Sequence, residues 1–184
     1  MNDNTISMNS VFSITNTQKI LEYLVKFPGE QFLASEIQNK VKMSKGGVNQ
    51  SLRELATDGL VNREKRGKIF LYSISHVNPI VRQYKILKNI ELLKPLINKI
   101  GKESEKVILF GSSARGEDTS DSDLDVFVLT KVPDEINNIL KKYRLQRKLQ
   151  FIVRTSVNYM NMEKKEPVLF EEINRGIILS ERKE

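Results

Sequence analysis

Asp123 and Asp125 stand one residue apart at the head of an apolar run, 126–129, and ten residues separate them from Gly111-Ser112, where an earlier apolar run, 107–110, stops. Side chains alternate faces along a strand, so these two carboxylates point one way while Leu124 and Val126 point the other. Held so close, they repel unless a positive charge lies between them. Hard oxygen donors of this kind suit Mg²⁺, which takes one or two protein carboxylates and completes its shell with water and phosphate oxygens. Glycine at 111 lets backbone approach a phosphate, and the amides that follow open a predicted helix, a favourable place for an anion. The chemistry expected is that of a metal and triphosphate site. A strand, a small-residue turn, a polar connection and a second strand must position it.

The flanking residues, Phe110-Gly-Ser-Ser-Ala-Arg115-Gly-Glu and Ser122-Asp-Leu-Asp-Val, resemble the signature of the nucleotidyltransferase superfamily related to DNA polymerase β, and more narrowly its small prokaryotic branch, the minimal nucleotidyltransferases. The resemblance covers about 105–181. It implies that Asp123 and Asp125 are catalytic and metal-binding, that Gly111, Ser112 and Arg115 bind nucleotide, and that an active enzyme would use two Mg²⁺ ions and a nucleoside triphosphate. Resemblance to nucleotidyltransferase antitoxins further implies a hydroxyl acceptor on a partner protein.

Active members hold their metals with three carboxylates. The third should come from the next strand, which here reads Lys148-Leu-Gln-Phe-Ile-Val, with Gln150 as the counterpart. An amide is neutral and can neither act as a base nor anchor a cation well. No Asp or Glu occurs from 143 to 162. Two accounts therefore stand: a slow enzyme that draws its base from substrate or partner, or a non-enzymatic regulator whose degenerate domain binds nucleotide or protein. Arg154 shares a strand face with Gln150 and is a further phosphate candidate. Asp121 is expected in the loop rather than as a third ligand, and nothing near His76 makes it a catalyst.

Lys and Arg number 30 against 23 Asp and Glu, which favours a polyanionic partner. The excess lies within 1–104, and residues 105–184 are balanced. Without cysteine, disulfides and thiolate zinc sites are excluded. Residues 1–13 have no basic-then-apolar leader pattern, and no apolar run has membrane-spanning length. A cytoplasmic protein with no membrane association is expected.

The basic first part reads as three short helices and a ribbon. Thr15 to Gln18 forms a possible capping box for a helix reaching Val25. Residues 32–41 carry helical spacing, and 44–56 a third helix with Val48, Leu52 and Leu55 inward. Strand-like 60–61 and 69–74 flank a basic turn, 62–68. This order, with Leu52-Arg-Glu-Leu and Asp58-Gly-Leu-Val, resembles the winged helix-turn-helix domains of bacterial and archaeal transcription regulators. By that resemblance double-stranded DNA is a partner, with Lys45, Asn49, Gln50 and Arg53 offered to the major groove. Arg63, Lys65, Arg66 and Lys68 on the wing would meet phosphates.

Asn78-Pro79 starts a long helix, with an apolar stripe at Ile86, Ile90, Leu93, Ile97 and Ile100 and a break or kink expected at Pro95. The stripe requires cover from the flanking domains or a second copy, so a homodimer through this connector is expected. Farther on come a helix from 132 to 143, a strand at 149–153, a helix at 166–175 and a strand at 177–179. The expected fold is α+β: a winged helix-turn-helix domain over 11–77, a helical connector over 78–104, and a nucleotidyltransferase-like αβ domain with a mixed sheet over 105–184.

Overall fold

In the computed structural model, residues 15–145 and 147–182 are described. Residues 1–13, read above for a leader, and the ends of the expected first and last domains, 11–14 and 183–184, lie outside them. The chain divides into two units, Met1–Ser75 and His76–Glu184.

The first unit begins with α1 (Asn16–Leu24), and Thr15 and Gln18 form the expected reciprocal capping box. Short strand β1 (Phe32–Leu33) follows, then α2 (Ala34–Val41), α3 (Lys45–Thr57), β2 (Asn62–Arg66) and β3 (Ile69–Ser73). Ile20, Leu24, Ile37, Val48, Leu52 and Leu55 fill the core. The strands form one antiparallel sheet in the order β1-β3-β2. This is the winged helix-turn-helix architecture.

Two boundaries differ from the sequence reading. Residues 32 and 33 are strand rather than helix, because Leu33 is extended (φ −78°, ψ 150°) and caps α2, its amide donating to Glu36 Oε2 at 2.7 Å. The basic stretch 62–66 is strand, not turn, whereas 60–61 are not strand. Every residue of β2 is exposed, so no apolar alternation marks it. The turn shrinks to Gly67-Lys68, with Gly67 at φ +61°, in the left-handed region that suits a tight hairpin.

The second unit contains α4 (Pro79–Ile100), β4 (Lys106–Phe110), α5 (Gly111–Arg115), β5 (Leu124–Leu129), α6 (Pro133–Lys142), β6 (Leu149–Arg154), α7 (Ser156–Lys165), α8 (Pro167–Asn174) and β7 (Ile177–Glu181). The sheet order is β6-β5-β4-β7; β5 and β6 are parallel and the other pairs antiparallel, so it is mixed. One face packs Val107, Leu109, Val126 and Val128 against Leu93, Leu96 and Ile100 of α4 and Ile136 and Leu140 of α6. The other packs Ile108, Phe110 and Phe127 against Met162 of α7 and Ile173 of α8. Helix α7 has no counterpart in the sequence reading.

Asn78 caps α4, accepting from the amides of Ile80 and Val81. The helix runs through Pro95 without a break. Its buried residues are Val81, Lys85, Asn89, Leu93, Leu96 and Ile100; Leu93 and Ile100 of the expected stripe are buried, while Lys85, Asn89 and Leu96 take the places expected of Ile86, Ile90 and Ile97. Ile90 and Ile97 are only partly buried, and their cover is the unit's own sheet core. Among the described residues no helix is long and apolar enough to cross a membrane.

Candidate functional site

Strand β4 ends at Phe110, and Gly111 turns the chain at φ +70° into α5. That angle is unfavourable for a residue with a side chain. A second constraint is tighter: a Cβ on Gly111 would lie 2.5 Å from Asp125 Oδ2. The bend thus comes directly against the carboxylate. Register places Asp125 opposite Phe110 on one side and Gln150 on the other. Adjacent residues of neighbouring strands share a face, so the Gln150 amide stands beside Asp125 where a third carboxylate was expected.

Asp123 sits just ahead of β5. Its peptide is gripped on both sides: the Ser113 hydroxyl donates to the Asp123 carbonyl at 3.0 Å, and the Leu124 amide donates to the Lys148 carbonyl at 2.9 Å. The Asp123 carboxylate accepts from Lys148 Nζ at 2.8 Å, and that bond raises the lysine's pKa. Burial raises the Asp125 pKa from its ordinary value, and the negative charges of Asp123 and Glu172 add to this, against Arg115 and Arg147. A site this negative is one that a cation relieves.

The structure therefore brings Gly111, Asp123, Asp125 and Gln150 together, with Ser112 on the first turn of α5. Arg115 lies at the end of α5 but is already engaged, its guanidinium 2.9 Å from Glu117 and 3.1 Å from Glu172; a phosphate would have to compete with both. Arg154 pairs in register with Leu129, at the far end of β5 from Asp125. Asp121 is in the loop, beside Ser120. The His76 carbonyl accepts from Arg82.

Among the described residues no group of three Asp, Glu, His or Cys side chains could hold a metal ion. The donors present fit a single Mg²⁺ carried by Asp123 and Asp125, with water and phosphate oxygens completing its shell. Gln150 leaves a second ion without its protein carboxylate.

Several polar residues at the site went unnoticed in the sequence. Lys148 reaches Asp123, and Glu172 of α8 pairs with Arg115 and adds its negative charge near Asp125. Behind them Lys85, Asn89, Asp118 and Arg147 form a largely buried polar cluster. Its signal was present: Lys85 and Asn89 fall in line, at helical spacing, with Leu93, Leu96 and Ile100.

In the first unit, Lys45, Gln50 and Arg53 are exposed on α3 and Asn49 half-buried. Their side chains bond locally: the Asn49 amide to the Lys45 carbonyl, Arg53 Nε to the Asn49 carbonyl, and the Gln50 amide to Glu54. On the wing, the Arg63 guanidinium stacks 3.7 Å from the centre of the Phe70 ring. Arg66 pairs with Glu64 at 2.7 Å, while Lys65 and Lys68 are exposed.

A winged helix-turn-helix unit and a mixed-sheet unit with a glycine-serine bend facing Asp-x-Asp define a nucleotidyltransferase fold joined to a winged-helix module. Residues 91–184 match the family described as Polymerase beta, Nucleotidyltransferase, and the chain belongs to that family. No curated protein matches it in sequence. Solved structures resemble it in part. Reduced HlyU from Vibrio cholerae is 25% identical over 48% of this chain and 83% of its own, with TM-score 0.32. A Sulfolobus solfataricus protein assigned as a nucleotidyltransferase is 17% identical over 53% and 85%, with TM-score 0.37. TrmBL2, an archaeal chromatin protein, is 14% identical over 88% and 73%, with TM-score 0.33. At TM-scores of this size nothing about this chain's function follows from those proteins' names.

Proposed function

We propose that this is a cytoplasmic DNA-binding protein whose second unit binds a Mg²⁺-nucleoside triphosphate at Asp123 and Asp125 and transfers a nucleoside monophosphate to a hydroxyl acceptor. The observation that carries this reading is the bend at Gly111, pressed against Asp125 with Asp123 alongside. Magnesium, when bound, would neutralise phosphate charge and polarise the α-phosphate. Asp123 and Asp125 would hold it, and Gly111, with no side chain in the way, would let the backbone come close to the phosphates. Ser112 and, once released from Glu117 and Glu172, Arg115 would orient the polyphosphate. The acceptor oxygen would bond to the α-phosphorus, the bond from that phosphorus to the β-phosphate bridging oxygen would break, pyrophosphate would leave and the hydroxyl proton would pass to water. A hydroxyl on a partner protein, such as a toxin, is the acceptor we propose.

One observation favours a second reading. Gln150 occupies the place beside Asp125, and Lys148 already neutralises Asp123, as suits a domain that binds nucleotide or protein without chemistry and serves the DNA-binding half as a sensor. We propose domain limits of 11–77, 78–104 and 105–184, with the connector helix packed as part of the second unit. Lys45, Asn49, Gln50 and Arg53 would face the major groove of double-stranded DNA, and Arg63, Lys65, Arg66 and Lys68 its phosphates. A homodimer would use the exposed Ile80 and Leu87 of α4; a monomeric mass in light scattering refutes it.

The decisive experiment is binding and turnover of labelled ATP and CTP with Mg²⁺, beside an Asp123→Asn/Asp125→Asn double variant. Turnover lost in the variant supports the transferase. Binding without turnover supports the sensor, and no binding by the native chain refutes both nucleotide readings.

A further inference from the structure

Asp125 is held in β5, but Asp123 is only as well placed as the loop that carries it, 116–123, which has no regular structure. The polar cluster behind it is costly, since it buries charged groups between α4 and the loop. Lys85 and Asp118 are 6% and 4% exposed and lie 3.6 Å apart. Lys85 Nζ also donates to the Asp118 carbonyl, and its burial lowers its pKa. Arg147 contributes a second cation, Nη1 donating to Asp118 Oδ2 at 2.7 Å and to Asn89 Oδ1 at 2.8 Å. Two cations on one buried carboxylate exceed what charge neutrality asks.

The rest of the guanidinium explains the excess. Arg147 Nε and Nη2 both donate to the Ser122 carbonyl, at 3.3 and 2.8 Å, and Ser122 immediately precedes Asp123. Asn89 reaches the other side of the site, donating to the Ser113 carbonyl at 3.0 Å. Ser113 in turn holds the Asp123 carbonyl. The peptides before and after Asp123 are thus tied, one through Arg147 and one through Ser113, to a single asparagine on α4.

We propose that Arg147 is a positioning residue, which fixes the Asp123 carboxylate toward Asp125 by clamping the Ser122 carbonyl, with Asp118 and Asn89 setting the plane of its guanidinium. The inference rests on Asp123 and Asp125 being the metal carboxylates. A planar fork is required, because one nitrogen, Nη1, must serve Asp118 and Asn89 while the other two grip a carbonyl. Lysine could keep the charge opposite Asp118 but could not do both.

The test uses the full chain labelled with ¹⁵N, comparing native protein, Arg147→Lys and Lys85→Met, with Mn²⁺ alone as the probe. Lys85→Met disturbs the same cluster without touching Ser122. In Arg147→Lys the amides of 119–125 should shift and lose order while those of 126–129 stay unchanged. Mn²⁺ should then be needed at about tenfold higher concentration to broaden the Asp123 and Asp125 amides, a loss typical of residues that support metal ligands. In Lys85→Met, which frees the Asp118 carbonyl, the amide of Thr119 should shift, but the amides of 121–125 and the Mn²⁺ requirement should stay native, whatever happens to stability. Native order at 119–125 in Arg147→Lys overturns the proposal, as does disorder there with an unchanged Mn²⁺ requirement, or equal loop disorder in Lys85→Met. If Arg147→Lys does not fold, Asp118→Asn, which weakens one support of the fork and leaves the Ser113 arm intact, is read in the same way. Absence of Mn²⁺ broadening in the native protein defeats the metal-site reading instead, and the amide order still decides whether Arg147 positions the loop.

Discussion

Replacing Gly111 by alanine probes the site where backbone and carboxylate meet. Two costs should arise. The left-handed angle of +70° costs a residue with a Cβ about 1–2 kcal/mol. The new Cβ, 2.5 Å from Asp125 Oδ2, would also force that carboxylate back by roughly 1 Å to reach ordinary contact, at a further cost of about 1 kcal/mol. A total near 2–3 kcal/mol should lower the melting temperature of the second unit by about 10–20 °C, at about 4–8 °C per kcal/mol for a domain of this size. Displacing a ligand by about 1 Å should also cost at least tenfold in Mg²⁺-nucleotide affinity. Calorimetry on Gly111→Ala, Asp125→Ala and the double variant separates the two costs. With Asp125 truncated, Gly111→Ala should lose the contact penalty and keep only that of the backbone angle. Additive melting shifts would show that the bend does not press on Asp125, and a Gly111→Ala protein that melts and binds like the native chain would refute the site geometry altogether.

Other consequences can be measured singly. Asp125 has a folded pKa raised above its unfolded one, so its ionised form opposes folding at neutral pH. Asp125→Asn should therefore raise the melting temperature at pH 7, and the gain should vanish as pH falls through the folded pKa; a destabilised Asn variant at pH 7 contradicts the raised pKa. Lys148→Met removes the cation competing for Asp123, so titration calorimetry without nucleotide should show Mg²⁺ binding tightened by a few-fold at most, since the pair is solvent-screened; unchanged affinity would leave the ion pair without a role. Changing Arg53, Arg63 and Arg66 together to alanine should weaken duplex DNA binding and flatten the slope of log affinity on log salt by up to about 3 units. Glu64→Gln, which frees Arg66, should strengthen binding; equal affinity in all three proteins would argue against DNA as the partner.

How much of this was legible beforehand differs from element to element. The Thr15 capping box, the helix behind Ser44 and the strand before Gly111 rest on neighbouring residues, and local rules found them. Strand β2 escaped because its five residues are all exposed and only pairing with β3 makes them a strand. Helix α7 escaped for a related reason: its one buried residue is Met162, too little to mark a face.

The sequence by itself determined which polar groups the candidate site offers. A glycine-serine bend, two carboxylates in strand alternation, and glutamine where a third acid was expected are all set by residue type and short spacing. Only the tertiary structure decided which charges surround them. Lys148 on Asp123, Glu172 on Arg115, and the convergence of Lys85, Asn89, Asp118 and Arg147 join residues far apart in the chain. Sequence periodicity has no reach over such distances; it assigned α4 an apolar seam, whereas the fold buried a lysine and an asparagine there because partners from other elements satisfy their hydrogen bonds.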